Sequence, residues 1–409
     1  MPTIKFQPQA ASPPTHLQHP EPIRKIPLAL YAHIPFCKVK CHYCAFDSVA
    51  VHSDTFIQRW LHAFLHDLQF QAQNIGQNRH RISSIFLGGG TPSIIPAKII
   101  EQILEHLTTI WSMDDHPEIT LEANPDSTTP AKLDAWHSMG INRLSLGVQA
   151  MDDHRLALLG RPHTAHQARQ TFEAARNAGF DNINLDLIHG SPGHTLDSWR
   201  HELTRAMMLQ PEHLSCYSLM VESGTPLERL LNSGTMQLPD EETAANLFFL
   251  TRDLLEDQGW ERYEISNHAR NRRYCQHNLG IWRSGDYLGI GPSAHGKITL
   301  EDGSVLRSIN HWPLETYLDL LEHNHPPHCW VEHASPKEAA AECLLMGLRL
   351  TDGIPRALYH DIAGIDLVDH KKKEVDFLVG EGLLVIDSCS IRLTSRGLDF
   401  LDECLTRLI

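Results

Sequence analysis

The chain has 409 residues, 42% of them apolar and 21% charged, which is the make-up of a packed globular protein long enough for one barrel-sized domain and a smaller one. With 35 Lys and Arg against 50 Asp and Glu, its formal charge of −15 repels nucleic acid, so a nucleic-acid partner is not expected. The 9 cysteines are used unevenly. Three crowd into residues 37–44 and six are scattered, which argues for one metal site plus ordinary thiols and against a disulfide-stapled secreted module.

The first 27 residues, rich in Pro and Gln, read as a flexible extension (1–27) without the apolar stretch of a secretory signal. No uncharged apolar run is long enough to cross a bilayer. From residue 28 the chain repeats a unit of short apolar run, small or polar turn, and helical pattern. The runs are 28–34, 84–87, 118–121, 143–146, 182–185 and 214–217, and the stretches 54–74, 97–110, 130–138, 164–178 and 195–209 carry apolar residues at helical spacing. Such alternation predicts a parallel sheet covered by helices, over residues 28–235. The unusual residues, namely the cysteines, the triplet Gly88-Gly89-Gly90, Glu122, Gln149 and Asp186, all fall at or just past the C-terminal ends of predicted strands. In a barrel or open parallel sheet that end is the functional face.

A helix is predicted over 240–258, and the following stretch, dense in aromatic, Asn, Arg and Gly residues, reads as ordered loop and short strand crossing the barrel mouth, so that 236–310 is expected to cap the barrel. Residues 311–409 are expected to be mainly helical, with two short strands near 383–394 suggesting a winged-helix-like module.

Cys37, Cys41 and Cys44 follow the first predicted strand. Thiolates are soft ligands suited to zinc or to iron–sulfur centres. A structural zinc would need a fourth ligand, which His33 or His42 can supply; a cubane cluster would use three thiolates and leave one iron open, where the amino and carboxylate groups of S-adenosylmethionine (SAM) can chelate. The glycine triplet with Thr91-Pro92 exposes backbone groups to such a cofactor, and Glu122 is suited to pairing with its ammonium.

The segment HIPFCKVKCHYC resembles the radical SAM signature. With FLGGGTPS, LEANPD, LGVQAMDD, LLGRPH, NLDLIHG and GIGPSAHG following in order, the chain from 28 to 409 is similar to the coproporphyrinogen III dehydrogenase-like branch, most of all to its haem chaperone members. The resemblance implies a partial (β/α)6 TIM-like barrel, a [4Fe-4S] cluster on the three cysteines and SAM beside it. It implies SAM contacts from Tyr31, Gly89, Gly90 and Thr91, with Tyr43 by the adenine, Gln149 and Asp186 by the ribose, and Arg161 by the carboxylate.

Two members of this branch must be separated. The oxygen-independent coproporphyrinogen dehydrogenase, which turns two propionates into vinyl groups, carries an extra cysteine two positions after the third; here that position is Phe46, and Ala45 stands where the chaperones commonly have an acidic residue. The element His277-Asn278-Leu279-Gly280-Ile281-Trp282 matches the chaperones' HNxxYW except at Ile281, and imidazole is a good haem-iron ligand, so His277 is expected to contact haem. The resemblance thus implies haem as cargo, a respiratory membrane haemoprotein as acceptor, an electron donor, and a cytoplasmic protein that can attach to the inner face of the membrane. Reductive SAM cleavage and a homodimer are both compatible with it.

Overall fold

The computed structural model describes residues 25–50, 53–75 and 79–409. Most of the expected 1–27 extension, residues 1–24, therefore lies outside the described residues. Six strands come in the anticipated order: Ile26–Ile34, His80–Gly89, Ser112–Ala123, Arg143–Gln149, Ile183–His189 and His213–Ser218, each parallel to the next. Their apolar side chains join those of the covering helices in one core. Trp60, Phe64 and Leu68 of the helix Asp54–Ile75 pack there with Ile100, Ile103 and Leu107 of Ala97–Ile110 and with Trp136.

The connecting helices begin where the sequence supplies caps. Thr129, Thr164, Thr195 and Thr225 each accept a hydrogen bond from a backbone N–H of the first helical turn, and Pro130 and Pro226 occupy the first turns of their helices. A side chain that satisfies an orphan N–H at a helix start is worth about 1 kcal/mol, so these threonines help fix where each strand hands over to its helix.

The sheet does not end at six strands. Asp286–Ile290 lies parallel on the other side of Ile26–Ile34, followed outward by His295–Thr299, Val305–Asn310 and His328–Ala334, all antiparallel. At the far edge Asn267–Ala269 and Glu261–Arg262 add an antiparallel ribbon, giving a mixed twelve-stranded sheet curved into a partial α/β barrel. The segment expected to cross the mouth therefore does something different. After Asn267–Ala269 runs antiparallel to His213–Ser218, the chain emerges at the N-terminal end of the parallel strands, forms the helix Gln276–Trp282 there, and re-enters the sheet at Asp286. That helix closes the floor of the barrel.

Residues 336–408 are mainly helical and build their own core from Ala340, Leu344, Tyr359, Leu378, Ile391 and Leu405 around a three-stranded sheet of Ile354–Pro355, Leu384–Ile386 and Ser390–Leu393. This region is tied to the barrel segment by Arg349 with Glu264 (2.9 Å) and Arg252 with Asp399 (2.7 Å). Among the described residues no helix is long and apolar enough to cross a membrane.

Candidate functional site

The cysteine loop leaves the first strand at Ile34 and is anchored at several points. Phe36–Cys37 pairs with Val49–Ala50; the His42 N–H donates to the Leu159 carbonyl (3.1 Å) and the Leu227 N–H to the His42 carbonyl (2.8 Å); the His33 Nε2 meets the Asp47 carbonyl at 3.0 Å. The loop is spliced to the glycine triplet as well, because Gly90 N–H donates to the Ile34 carbonyl and Thr91 N–H to that of Phe36. Here glycine is required by space: a Cβ on Gly90 would sit 2.6 Å from the Phe36 carbonyl oxygen.

All three thiols are free, with Cys41 buried and Cys37 and Cys44 half-buried. The Thr91 hydroxyl donates to the Cys37 sulfur at 3.5 Å, and Arg161 Nη1 donates to that of Cys41 at 3.3 Å. Such donors stabilise sulfur in its negative form. Burial pushes the Cys44 thiol up, and the proximity of Cys41 and Cys37 pushes it further. A Cys44 thiol whose ionisation is disfavoured by burial and by two neighbouring sulfurs is what a cationic iron centre would relieve, so the donor set fits a cluster. Among the described residues no three His, Cys, Asp or Glu side chains converge on a single metal ion.

Beside the thiols lie two carboxylates. Glu122 accepts the Gly89 N–H at 3.1 Å and, among the described residues, has no cation within ion-pairing distance. Burial first, and then the negative charge of Asp186, raise it to about 8. Asp186 accepts from Ser145 Oγ (3.1 Å) and Asn184 Nδ2 (2.8 Å), and burial raises it too. An ammonium placed at Glu122 would relieve that penalty, and hydroxyl groups suit the remaining lone pairs of Asp186. This is the electrostatic signature of a site for a cationic nucleoside, and it fits SAM.

Arg161 connects the two halves. Its Nη2 donates to the Gly147 carbonyl (2.7 Å) and to Asn124 Oδ1 (2.6 Å), while its buried Nε has no partner among the described residues. Gln149 closes its strand with φ of +67°, at a register irregularity that turns the rim, and its amide lies near Gly147, where any Cβ would crowd Asn124, Arg161 and Gln149 together. Burial raises the Tyr43 hydroxyl, and its charged neighbours are Arg161, Cys41, Cys44 and Asp186, which puts it between thiols and carboxylate. Tyr31 meets His33 Nδ1 at 3.1 Å, with Glu122 nearby.

The structure thus brings together Tyr31, Cys37, Cys41, Tyr43, Cys44, Gly89, Gly90, Thr91, Glu122, Gln149, Arg161 and Asp186. Sequence reasoning missed Asn124. Its Nδ2 donates to Thr91 Oγ1 (3.2 Å) while its Oδ1 accepts from Arg161, so a continuous chain of hydrogen bonds runs from Cys37 through Thr91, Asn124 and Arg161 to Cys41. Its place two residues beyond Glu122 at the end of the strand was the available signal.

His277 stands apart. It is 3% exposed, on the floor helix. Its Nδ1 meets Ser84 Oγ at 3.0 Å, its ring packs on Phe86 with centroids 5.1 Å apart, and its N–H donates to Glu118 at 3.0 Å. Burial, reinforced by Arg143, lowers its pKa to about 3. The residue expected to contact haem thus lies inside the barrel below Phe86, with its Nδ1 engaged by Ser84.

Comparison with known proteins agrees with the geometry. Residues 31–206 match the radical SAM superfamily model and residues 334–400 the HemN C-terminal domain. The chain is 35% identical to the heme chaperone HemW of Haemophilus influenzae, covering 93% of this chain and 97% of that protein. It is 33% identical to the Bacillus subtilis heme chaperone HemW, covering 90% and 95%. Among solved structures, the coproporphyrinogen III oxidase HemN from Escherichia coli superposes with a TM-score of 0.81 at 21% identity, covering 94% of this chain and 90% of that one, and so shows a shared fold. The chain belongs to the radical SAM superfamily, in the HemN/HemW branch, and is closely related to the bacterial HemW proteins.

Proposed function

We propose that this protein is a haem chaperone that holds a [4Fe-4S] cluster and SAM and passes haem to respiratory haemoproteins. The observation that carries the reading is likeness over more than nine tenths of the chain to proteins named heme chaperone. Phe46 adds to it, since the dehydrogenase branch would have a cysteine there.

When bound, the cluster supplies a one-electron donor and an iron without a protein ligand, at which SAM's amino and carboxylate groups can sit. Cys37, Cys41 and Cys44 hold it, and Thr91 and Arg161 neutralise sulfur charge on two of the three. Glu122 takes the SAM ammonium. The Gly89, Gly90 and Thr91 backbone flanks the methionine part, and Arg161 Nε is free to donate to its carboxylate. Asp186 and Gln149 hold the ribose hydroxyls, Tyr43 packs by the adenine, and Tyr31 closes the side opposite. Delivery to a membrane acceptor, with peripheral attachment, a separate electron donor and a homodimer, is part of the same proposal, as is a winged-helix-like arrangement of the C-terminal region.

The test is an anaerobic assay of the reconstituted protein with SAM, a reductant and either haem or coproporphyrinogen III. Protein-bound haem without decarboxylated product is expected; catalytic conversion of coproporphyrinogen would replace the chaperone reading with the dehydrogenase.

A further inference from the structure

Along each parallel strand every second residue leaves the helix-covered core and faces the lumen of the barrel. In Arg143–Gln149, Leu144 and Leu146 join the core, while the Ser145 hydroxyl donates to Asp186 (3.1 Å) and accepts from Asn184 (2.7 Å). Arg143, two residues before Ser145, therefore stands on the same inward face. Its charge is felt there by Cys275, Glu118 and Tyr263 toward the floor and by Asp186 toward the mouth.

This arginine is 2% exposed, and among the described residues no hydrogen bond or ion pair engages any of its nitrogens. A guanidinium carries five N–H donors and cannot shed its charge, so leaving it unmet inside a protein is costly. The natural counter-ion, Glu118, is already used. It accepts the N–H groups of Gln276 and His277 at 3.0 Å each, and the Cys275 thiol at 3.5 Å. The next strand adds a second unmet group: Thr120, the register partner of Arg143, has its hydroxyl buried without a partner among the described residues.

The lumen beside them is aromatic and open. Thr120 is the register partner of Phe86, and Phe86 that of Tyr31. These two rings have centroids 6.2 Å apart and are only half-buried although they face inward. On the last of the six parallel strands, Tyr217 shares the inward face of His213 and Ser215 and is 41% exposed. A ligand suited to these walls has a flat apolar body for the rings and a carboxylate for the guanidinium, which can grip it with two parallel N–H bonds. Tetrapyrroles with propionate side chains have both.

We propose that Arg143 receives a propionate carboxylate of the tetrapyrrole cargo in the barrel lumen, with the Thr120 hydroxyl donating to the same group and the macrocycle lying toward Phe86. This deepens the chaperone reading above and rests on it.

The experiment is titration of the full, cluster-loaded chain with ferric haem and with haem dimethyl ester, whose two carboxylates are capped, for the parent and for Arg143→Gln and Arg143→Lys. The parent should bind haem at least tenfold more tightly than the ester. Arg143→Gln should bind both as weakly as the parent binds the ester, and Arg143→Lys, which keeps the charge without the fork, should recover part of the difference. The Soret position, which reports the iron ligand, should be the same in all three. Equal binding of haem and ester by the parent, a comparison that needs no variant to fold, overturns the assignment. So does a preference for haem that survives in Arg143→Gln, and a tenfold loss of SAM affinity in that variant with this preference intact would make the arginine a counter-charge for Asp186 instead. If the parent binds neither haem nor ester, the chaperone reading fails and the anchor falls with it, whereas ester bound as well as haem removes the anchor alone.

Discussion

The two ends of the barrel are built from the same residue types and behave oppositely. At the floor, Glu118 accepts the N–H groups of Gln276 and His277 (3.0 Å each), His277 meets Ser84, and His213 joins Asn184 Oδ1 (2.6 Å) to the Tyr263 hydroxyl (2.8 Å). At the mouth, Glu122 has one backbone donor and Arg161 Nε has no partner among the described residues. Burial makes an unmet polar group costly, by roughly 1–3 kcal/mol. Unpartnered atoms occur toward the floor as well, Arg143 Nε and Asn182 Oδ1 among them, so what sets the mouth apart is the carboxylate itself: Glu122 keeps one backbone donor where Glu118 has two, which leaves Glu122 the carboxylate that awaits a ligand. Residue identity alone would have scored Glu118 and Glu122 alike.

The contrast breaks most completely at the thiols. Replacing Cys41 by Ala should abolish the cluster, read as loss of iron–sulfur absorbance after anaerobic reconstitution, while far-ultraviolet circular dichroism stays the same; an intact cluster would remove the mouth's assignment. A smaller effect is expected from Asn124→Ala, which cuts the hydrogen-bond chain between the Cys37 and Cys41 sulfurs. The cluster should still assemble, with a shifted midpoint potential, because hydrogen bonds near the sulfurs tune it. An unchanged potential would reduce Asn124 to a spacer.

The floor answers to stability instead. Glu118→Ala strands two backbone N–H groups at the start of the helix Gln276–Trp282 and should cost about 1–3 kcal/mol, measured by denaturant unfolding of the apo chain. SAM affinity of the folded fraction should stay within a few-fold of the parent. A large loss of SAM binding without a loss of stability would show that floor and mouth are not separable.

How much of this was legible follows from sequence distance. The six strands, their helices and the cysteine loop are written in local periodicity and capping residues, and the strand-end rule put Glu122, Gln149 and Asp186 on one rim before any contact was known. The floor was not legible, because Glu118 and His277 are 159 residues apart and only the antiparallel run of Asn267–Ala269 decides which end of the barrel the next helix reaches. His277 is expected at haem from its motif and its chemistry, and its place beneath Phe86 follows only from the fold. Asn124 was hidden for a different reason: an Asn before Pro125 reads as a turn residue, and only the folded rim reveals that both ends of its amide are used.

The gentlest test of the contrast is titration. Glu122 has its pKa raised from the ordinary carboxylate value of 4.5 to about 8, so the ligand-free folded chain binds a proton there that the unfolded chain has released. Stability from this group is therefore full below the unfolded value and is lost as pH rises from about 4.5 through about 8. Glu122→Gln keeps the shape and removes the charge, so it should flatten that part of the stability profile and leave the apo chain more stable than the parent at pH 8. SAM binding should move the other way: with the parent it strengthens as pH approaches 8 and the carboxylate forms to meet the ammonium, and with Glu122→Gln it is weaker and loses that dependence. A variant that gained apo stability and kept full SAM affinity would show that the buried charge serves some ligand other than an ammonium. Opposite signs in the two measurements are what a group held ready for a cation requires, since the fold bears the desolvation that only the ligand relieves.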